Sequence, residues 1–480
     1  MSETGEEFDL LAIETLKSRY LQEGEKDWED VCKRVAKAIA LNRGEYTEFL
    51  DIILSKAFIP SSPTLMNAGT PSGQLSACFV IPVEDGIEKI FDSVKTAALI
   101  QKTGGGTGFN FSKIRPDGSV TVSGVGTASG PVALMRLFNE ATEIVKHFGK
   151  RRGANMGILD ISHNDIISFI RAKRTEGVLS NFNISVMLTD SFMSLADEGR
   201  MDEVWNTETG TKIGEIFSEI VEGIWRNGEP GVLFYDHINR DNFTPALGDI
   251  SATNPCGEEP LLPFESCNLG SINLSILVEE GKVNRDSLRE AVRKAVREKG
   301  PFPEYENSIW EFPVRNATLT AIAPTGTISI LAGCSAGIEP VFSWVYRRAR
   351  IAGKEFMLVH PLFETHFKQK LSKPDYNRLL EHVYAHGTLQ DITDSKIVSE
   401  EEKGLFRSAL DINWKTHIDI QAAFQRHCHA GISKTINMPV DAGKEDIGKA
   451  LIYAWKQGLK GLTIYRTGSR QHVVLNLKKR

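Results

Sequence analysis

Asn254-Pro255-Cys256-Gly257-Glu258 is followed, after one short apolar stretch, by Cys267, eleven residues beyond the first thiol. A cysteine with an amide and a carboxylate two residues to either side, and a second thiol close by, has more use in redox or radical chemistry than in packing. Sulfur reactivity is set by such neighbours. The order of elements around this stretch decides the scaffold. Upstream, apolar positions recur at helical spacing through Phe8–Tyr20, Val31–Leu41 and Phe49–Phe58, so residues 1–58 read as a helical N-terminal region. Phe58-Ile59-Pro60-Ser61-Ser62-Pro63 breaks that pattern with two prolines. From 59 to 480 short β-rich runs alternate with amphipathic helices, which predicts an α/β architecture with many crossovers.

Several elements can be placed individually. Ala77–Val83 and Ser119–Val122 read as strands. Pro131–Phe148 reads as a helix opened by proline and stopped by Gly149, and Ser287–Val296 and Ile447–Gln457 as two more, the last capped by Gly458. The 480 residues exceed the roughly 250–300 at which single cores stop growing, so one large barrel or two domains is expected. A net charge of −6 argues against a strongly basic nucleic-acid surface. No apolar run approaches the ~20 residues of a membrane helix, and the polar, acidic Met1–Asp9 is unlike a secretory leader, so a cytoplasmic protein is expected.

The six cysteines contain no CxxC and form no disulfide framework. Cys32 and Cys334 read as small buried hydrophobes. His427-Cys428-His429 lacks the usual zinc spacings and reads as structure, so no metal ligand is assigned. Ala323-Pro324-Thr325-Gly326-Thr327-Ile328-Ser329 offers backbone amides and hydroxyls where a helix begins, a phosphate cradle or a polar turn. Gly104-Gly105-Gly106-Thr107-Gly108 permits close backbone approach. Gly124–Gly130 has its third glycine one place late for a dinucleotide loop. Lys150-Arg151-Arg152-Gly153 is a short basic loop.

Together these segments resemble the catalytic subunit of ribonucleotide reductase, most closely a compact form of the adenosylcobalamin-dependent class II. The resemblance rests on Ser62–Gly69, Leu75–Val80, Asn254–Glu258, Cys267–Ser271, Ala323–Ser329, Gly337–Pro340 and Ser433–Pro439, which occur in the family's order. It implies an α/β barrel over 59–480 with a cysteine-bearing central loop. Cys256 would carry a thiyl radical, Glu258 would act as base on the ribose 3′-hydroxyl, and Asn254 would hydrogen-bond the sugar. Cys78 and Cys267 would reduce the 2′ position and become a disulfide.

The same resemblance implies that Ser62, Ala77, Gly106, Pro324, Thr325, Gly326, Thr327, Ile328 and Ser329 contact the substrate. Asp85 and Arg152 would serve a dNTP or ATP effector at a homodimer interface. Gln471–Arg480 carries no cysteine, so an external dithiol such as thioredoxin would restore the pair. The tyrosine pair through which class I subunits receive a radical is replaced by Thr463 and Ile464, with Tyr465 one place off, which favours adenosylcobalamin as the radical source. Two other readings are a class I-like subunit needing a radical-generating partner and a catalytically impaired nucleotide-binding relative. Relatives place a glycine-containing strand between helix Ser287–Val296 and Gly300-Pro301, so this barrel is expected to lack a strand.

Overall fold

The computed structural model describes residues 3–120, 126–145, 153–280, 282–295, 301–351, 354–470 and 475–476. Helices Glu3–Arg19, Trp28–Ile39 and Arg43–Leu54 form the N-terminal region. Asp27 and Asn42 start the second and third by accepting the amides of Asp30 and Glu45, groups the helix cannot satisfy itself. Their buried faces, with Tyr20, Val31 and Val35, share one hydrophobic cluster with Leu65, Ile328 and Leu331. Arg34 reinforces the joint: its guanidinium donates to the carbonyls of Tyr20, Leu65 and Ala68 and pairs with Glu25 at 2.7 Å. The short helix Ser62–Asn67 is thereby fixed to the N-terminal region.

The main sheet has eight strands. In chain order they are β1 (Cys78–Val80), β2 (Gly106–Asn110), β3 (Asn155–Asp160), β4 (Phe182–Leu188), β5 (Gly231–Phe234), β6 (Ser266–Cys267), β7 (Thr435–Met438) and β8 (Gly461–Arg466). They lie in the spatial order β6-β1-β2-β3-β4-β5-β8-β7. Strands β1 to β5 are parallel, joined by crossovers that place helices such as Ile87–Lys102, Gly130–Val145 and Ile213–Asn227 on the outer face. β8 runs antiparallel to β5, β7 is parallel to β8, and β6 is antiparallel to β1.

Side chains alternate between the two faces. On β4, Phe182, Ile184, Val186 and Leu188 enter the outer core, as do Phe109, Val232, Phe234, Leu462 and Ile464 from neighbouring strands. The opposite face carries Met187 and, with Val80, Met156, Ile158 and Leu233, forms a smaller inner core. That inner core also contains Ala252 and Leu261, the two ends of a hairpin. The hairpin touches β1 and β2 near one edge of the sheet, and the segment leading into β7 at the other. The sheet therefore curls around it.

Most predicted elements appear at or within two or three residues of their expected bounds. The helix expected over Pro131–Phe148 is described from Gly130 to Val145, and that over Ser287–Val296 from Arg285 to Ala295. Within Ser119–Val122 only an isolated bridge, Val120 to Thr127, is seen, because residues 121–125 lie outside the described ones. Cys334 is half-buried rather than buried: it follows the left-handed Gly333 that ends helix Ile328–Ala332. Between 301 and 327 the chain makes a 3-10 turn at Tyr305–Asn307 and a single bridge, Ile322 to Ile432, and among the described residues no ladder joins β7 to β6. A further lobe follows, a hairpin (Val345–Ile351 and Lys354–Val359) and helices Pro361–Lys370 and Lys373–His386 around Trp344, Phe363, Phe367 and Val383.

Candidate active site

The hairpin is built from Ala252–Thr253 paired with Pro260–Leu261, and Cys256 is at its tip. The sequence dictates the tip. Asn254 O accepts the Gly257 amide at 3.1 Å, so 254–257 form a turn with Pro255 at the position whose φ proline pre-sets and Cys256 at the next. Gly257 leaves the turn at φ +81°, which glycine adopts without penalty. Cys256 is exposed, whereas Asn254 is fully buried and Glu258 nearly so.

Three glycines make room for the finger inside the curled sheet. A Cβ on Gly108 would lie 1.7 Å from Thr253 O, one on Gly106 would lie 2.8 Å from the Pro255 ring, and one on Gly431 would lie 2.9 Å from Gly257 O. The close approach legible in Gly104–Gly108 is thus made by the chain's own finger. Polar clamps complete the seat: Asn110 Nδ2 donates to Ser251 O and Asn183 Nδ2 to Pro255 O, both at 2.8 Å, while Gly431 N donates to Glu258 O at 2.7 Å. Gly106, Gly108 and Asn110 share the inner face of β2 because they are two residues apart.

The two expected reducing cysteines are directly opposed. Cys267 on β6 is in register with Cys78 on β1. Opposed antiparallel residues have Cα atoms about 4.5–5.5 Å apart, inside the range a disulfide spans. A hydrogen bond with Cys78 raises the Cys267 thiol well above its ordinary range, and burial adds to the effect. Asn254 Nδ2 donates to Cys78 Sγ at 3.4 Å, tying the dithiol to the finger two residues from Cys256.

Glu259 is a residue that sequence reading passed over. Its backbone pairs with Asn254 in both directions, N to Oδ1 at 3.0 Å and O to the Asn254 amide at 3.1 Å. Burial, with Glu258 and Cys78 nearby, pushes its carboxyl up to about 8.

In the expected phosphate cradle, Thr325 takes φ +50° and its Oγ1 accepts the Gly337 amide at 2.9 Å. Pro324, Thr325 and Thr327 are half-buried and Gly326 is exposed, while Ile328 and Ser329 are buried in the first turn of helix Ile328–Ala332. Ile328 packs into the cluster that holds Leu65, and Ser62 Oγ lies 2.8 Å from the Tyr20 hydroxyl. The Ser61 amide donates to Leu269 O at 2.8 Å, two residues from Cys267. Ala77 is buried; its amide donates to Cys267 O and its carbonyl accepts the Gly106 amide. The 324–329, Ser62 and dithiol segments are therefore mechanically continuous.

Asp85 is outside this group, ion-paired with Arg115 at 2.6 Å. Arg152 lies outside the described residues. Thr463 and Tyr465 share the inner face of β8, Thr463 exposed and Tyr465 half-buried, while Ile464 points into the outer core. Two matching motifs prove to be partners: Lys434 Nζ pairs with Glu339 at 2.8 Å, and the Thr435 amide donates to the same carboxylate.

Comparisons with known proteins agree with this geometry. The family description "Ribonucleotide reductase, barrel domain" matches residues 76–210, 200–299 and 298–465, and "Ribonucleotide reductase, all-alpha domain" matches 6–73. The chain is 41% identical to a vitamin B12-dependent ribonucleoside-diphosphate reductase of Thermoplasma acidophilum, over 90% of this chain and 66% of the relative. It is 35% identical to one of Mycobacterium tuberculosis (strain CDC 1551 / Oshkosh), over 97% and 80%. Both alignments, 516 and 562 positions, are longer than the chain itself, so these relatives carry residues with no counterpart here. Successive barrel matches overlap at 200–210 and at 298–299. The Actinobacillus ureae class Id ribonucleotide reductase alpha subunit superposes with a TM-score of 0.74 at 18% identity, covering 98% of this chain and 99% of that one, a likeness of fold. With barrel matches that run from 76 to 465 and include the finger, and the all-alpha match before them, the chain belongs to the ribonucleotide reductase large-subunit family.

Proposed function

We propose that this chain reduces ribonucleoside di- or triphosphates to 2′-deoxyribonucleotides through a thiyl radical at Cys256. The observation that carries the reading is the in-register Cys78–Cys267 pair, tied by the Asn254 amide to the finger that presents Cys256. The substrate's phosphates rest on the amides and hydroxyls of 324–329 with the Ser62 hydroxyl, and the ribose lies between the finger tip and the dithiol. Holding the reacting groups in this way replaces a many-body encounter with one bound geometry.

The atoms balance. The Cys256 thiyl takes the hydrogen atom from C3′, and Glu258 takes the 3′-hydroxyl proton. The 2′-hydroxyl leaves as water with a proton from one thiol of the pair, the second thiol's hydrogen goes to C2′, and Glu258 returns its proton to the 3′-oxygen. Cys78 and Cys267 supply two electrons as they become a disulfide, and Cys256 returns its hydrogen atom to C3′. An external dithiol, of which thioredoxin is an example, then restores the pair by exchange, entering at the half-exposed Cys78.

Adenosylcobalamin fits the open side of the site, and when bound it supplies the radical equivalent that oxidises Cys256. The fit rests on the exposure of the Cys256 thiol and of Thr463, which lines the inner face of β8 where a class I subunit carries a tyrosine. Asp85, with Arg152, would read a nucleotide effector at a homodimer interface. Dimerisation is favoured by a stripe on helix Ile87–Lys102: Ile87, Phe91 and Leu99 stand at multiples of four residues and are 69%, 53% and 60% exposed. Ile144, 62% exposed, lies on the helix packed beside it. No described helix is long and apolar enough to cross a membrane.

The test is turnover by the purified chain alone with adenosylcobalamin, a dithiol and either CDP or CTP. Formation of dCDP or dCTP is expected, and which of them forms identifies the phosphate requirement. Absence of product with both would overturn the reading.

A further inference from the structure

The lobe over residues 341–411 carries a cluster that ribonucleotide reduction does not use. His382 and His386 are one turn apart on helix Lys373–His386, so both imidazoles rise from one face. Their rings stack with centroids 4.2 Å apart and planes 25° from parallel. Gly387, at φ +76°, ends the helix in the left-handed conformation and turns the chain back over it.

The returning loop is anchored at three successive residues. Thr388 Oγ1 donates to Asp411 at 2.6 Å, Leu389 is fully buried in the lobe's core, and Gln390 Nε2 donates to Lys403 O at 2.9 Å. These anchors hold Asp391 against both rings. One carboxylate oxygen meets His382 Nε2 and the other His386 Nδ1, each at 2.7 Å.

We propose that His382, His386 and Asp391 bind a divalent transition-metal ion of the Zn2+ type, with water completing the shell. The donor set is two imidazole nitrogens and one carboxylate, borderline and hard ligands that suit Zn2+, and three protein ligands with an open position form a recurrent zinc arrangement. The three donor atoms already lie within 4.8 Å of one another. An ion about 2.0–2.2 Å from each donor would set neighbouring donors about 3.3 Å apart. The 2.7 Å contacts need to open by about half an ångström, and the two ring nitrogens, within 4.8 Å of each other, to close by up to about 1.5 Å, both by side-chain rotation. The ion replaces the protons now shared between rings and carboxylate, and the facing ring nitrogens become lone-pair donors. Neither histidine drew notice in the sequence, because the third ligand follows a helix stop rather than a metal-site spacing.

The test is a Co2+ titration of the full-length chain carrying Cys78→Ser, so that the thiol pair does not compete. A saturable visible d–d band, free of thiolate-to-cobalt charge transfer and displaced by Zn2+, is expected at one equivalent. His386→Ala and Asp391→Asn should each weaken Co2+ binding by about tenfold or more while keeping the metal-free thermal midpoint. Zn2+ should raise that midpoint in the parent and not in His382→Ala/His386→Ala. No saturable band, or a band unchanged in the double variant, would overturn the site, whatever the outcome of ribonucleotide turnover.

Discussion

The finger's passage over β2 yields the most direct prediction, Gly108→Ala. The added Cβ would sit 1.7 Å from Thr253 O, 2.8 Å from its carbonyl carbon and 3.5 Å from Asn254 N, all backbone atoms with no rotamer to yield. Ordinary contact begins near 3.4 Å, so strand and finger must part by about 1.7 Å. β2 has little room to retreat, since Gly108 is paired with Val80 on one side and Met156 on the other and its carbonyl accepts the Ile81 amide. The finger moves instead, carrying Cys256 three residues from the clash. A displacement of about 1 Å in a reacting group costs on the order of a hundredfold in rate, so turnover should fall by about that factor or more. Overpacking itself should cost about 1–3 kcal/mol of stability, small enough for the chain to remain folded. Steady-state deoxynucleotide formation, read beside circular dichroism and thermal melting, measures both. Gly106→Ala, which meets a proline ring at 2.8 Å, should be milder, and Gly404→Ala, with nothing within 4 Å, should be neutral. Turnover near the parent level in a folded Gly108→Ala chain would refute the claim that the glycine exists to admit the finger.

Cys256→Ser should abolish turnover while leaving nucleotide affinity by equilibrium dialysis nearly intact; appreciable residual turnover removes the radical assignment. In the reduced chain an alkylating reagent should label half-exposed Cys78 before buried Cys267, and mild oxidation should remove both labels together, as read by peptide mass spectrometry. Glu259 is raised from 4.5 to about 8, so the folded state holds a proton that the unfolded state releases. Its contribution to stability is whole below pH 4.5 and is lost as pH rises towards 8, with a slope of up to about 1.4 kcal/mol per pH unit that denaturant titration should find absent in Glu259→Gln. Phe91→Asp places a charge in the exposed apolar stripe and should convert a dimer to monomer in sedimentation; an unchanged assembly state would remove that helix from the interface.

How much of this was legible beforehand follows from the physics of each element. The helices declared themselves because their apolar faces recur locally, as on Ile447–Gln457, observed at Lys444–Lys456. Although a loop there was expected only from the resemblance, the finger's turn is equally local, set by Pro255 and Gly257. What brings the thiols together was not: Cys78 and Cys267 meet through a two-residue ladder that no local periodicity encodes, and their pairing was available only by resemblance. The purpose of Gly106 and Gly108 could have been inferred from their two-residue spacing, which puts both on one strand face, yet the object they admit lies well over a hundred residues onward. Glu259 escaped notice because an acidic residue beside another acid reads as solvated surface until burial is seen. The Glu339–Lys434 bond likewise joins two motifs that sequence reading could only place side by side.

Cys267 occupies an edge strand of two residues, paired on one side only. A ladder at a sheet edge can open locally at a cost below that of global unfolding. The deeper sulfur is therefore sheltered by a hem rather than a wall, and under the proposed function an external dithiol would reach it without disturbing the finger on the other side.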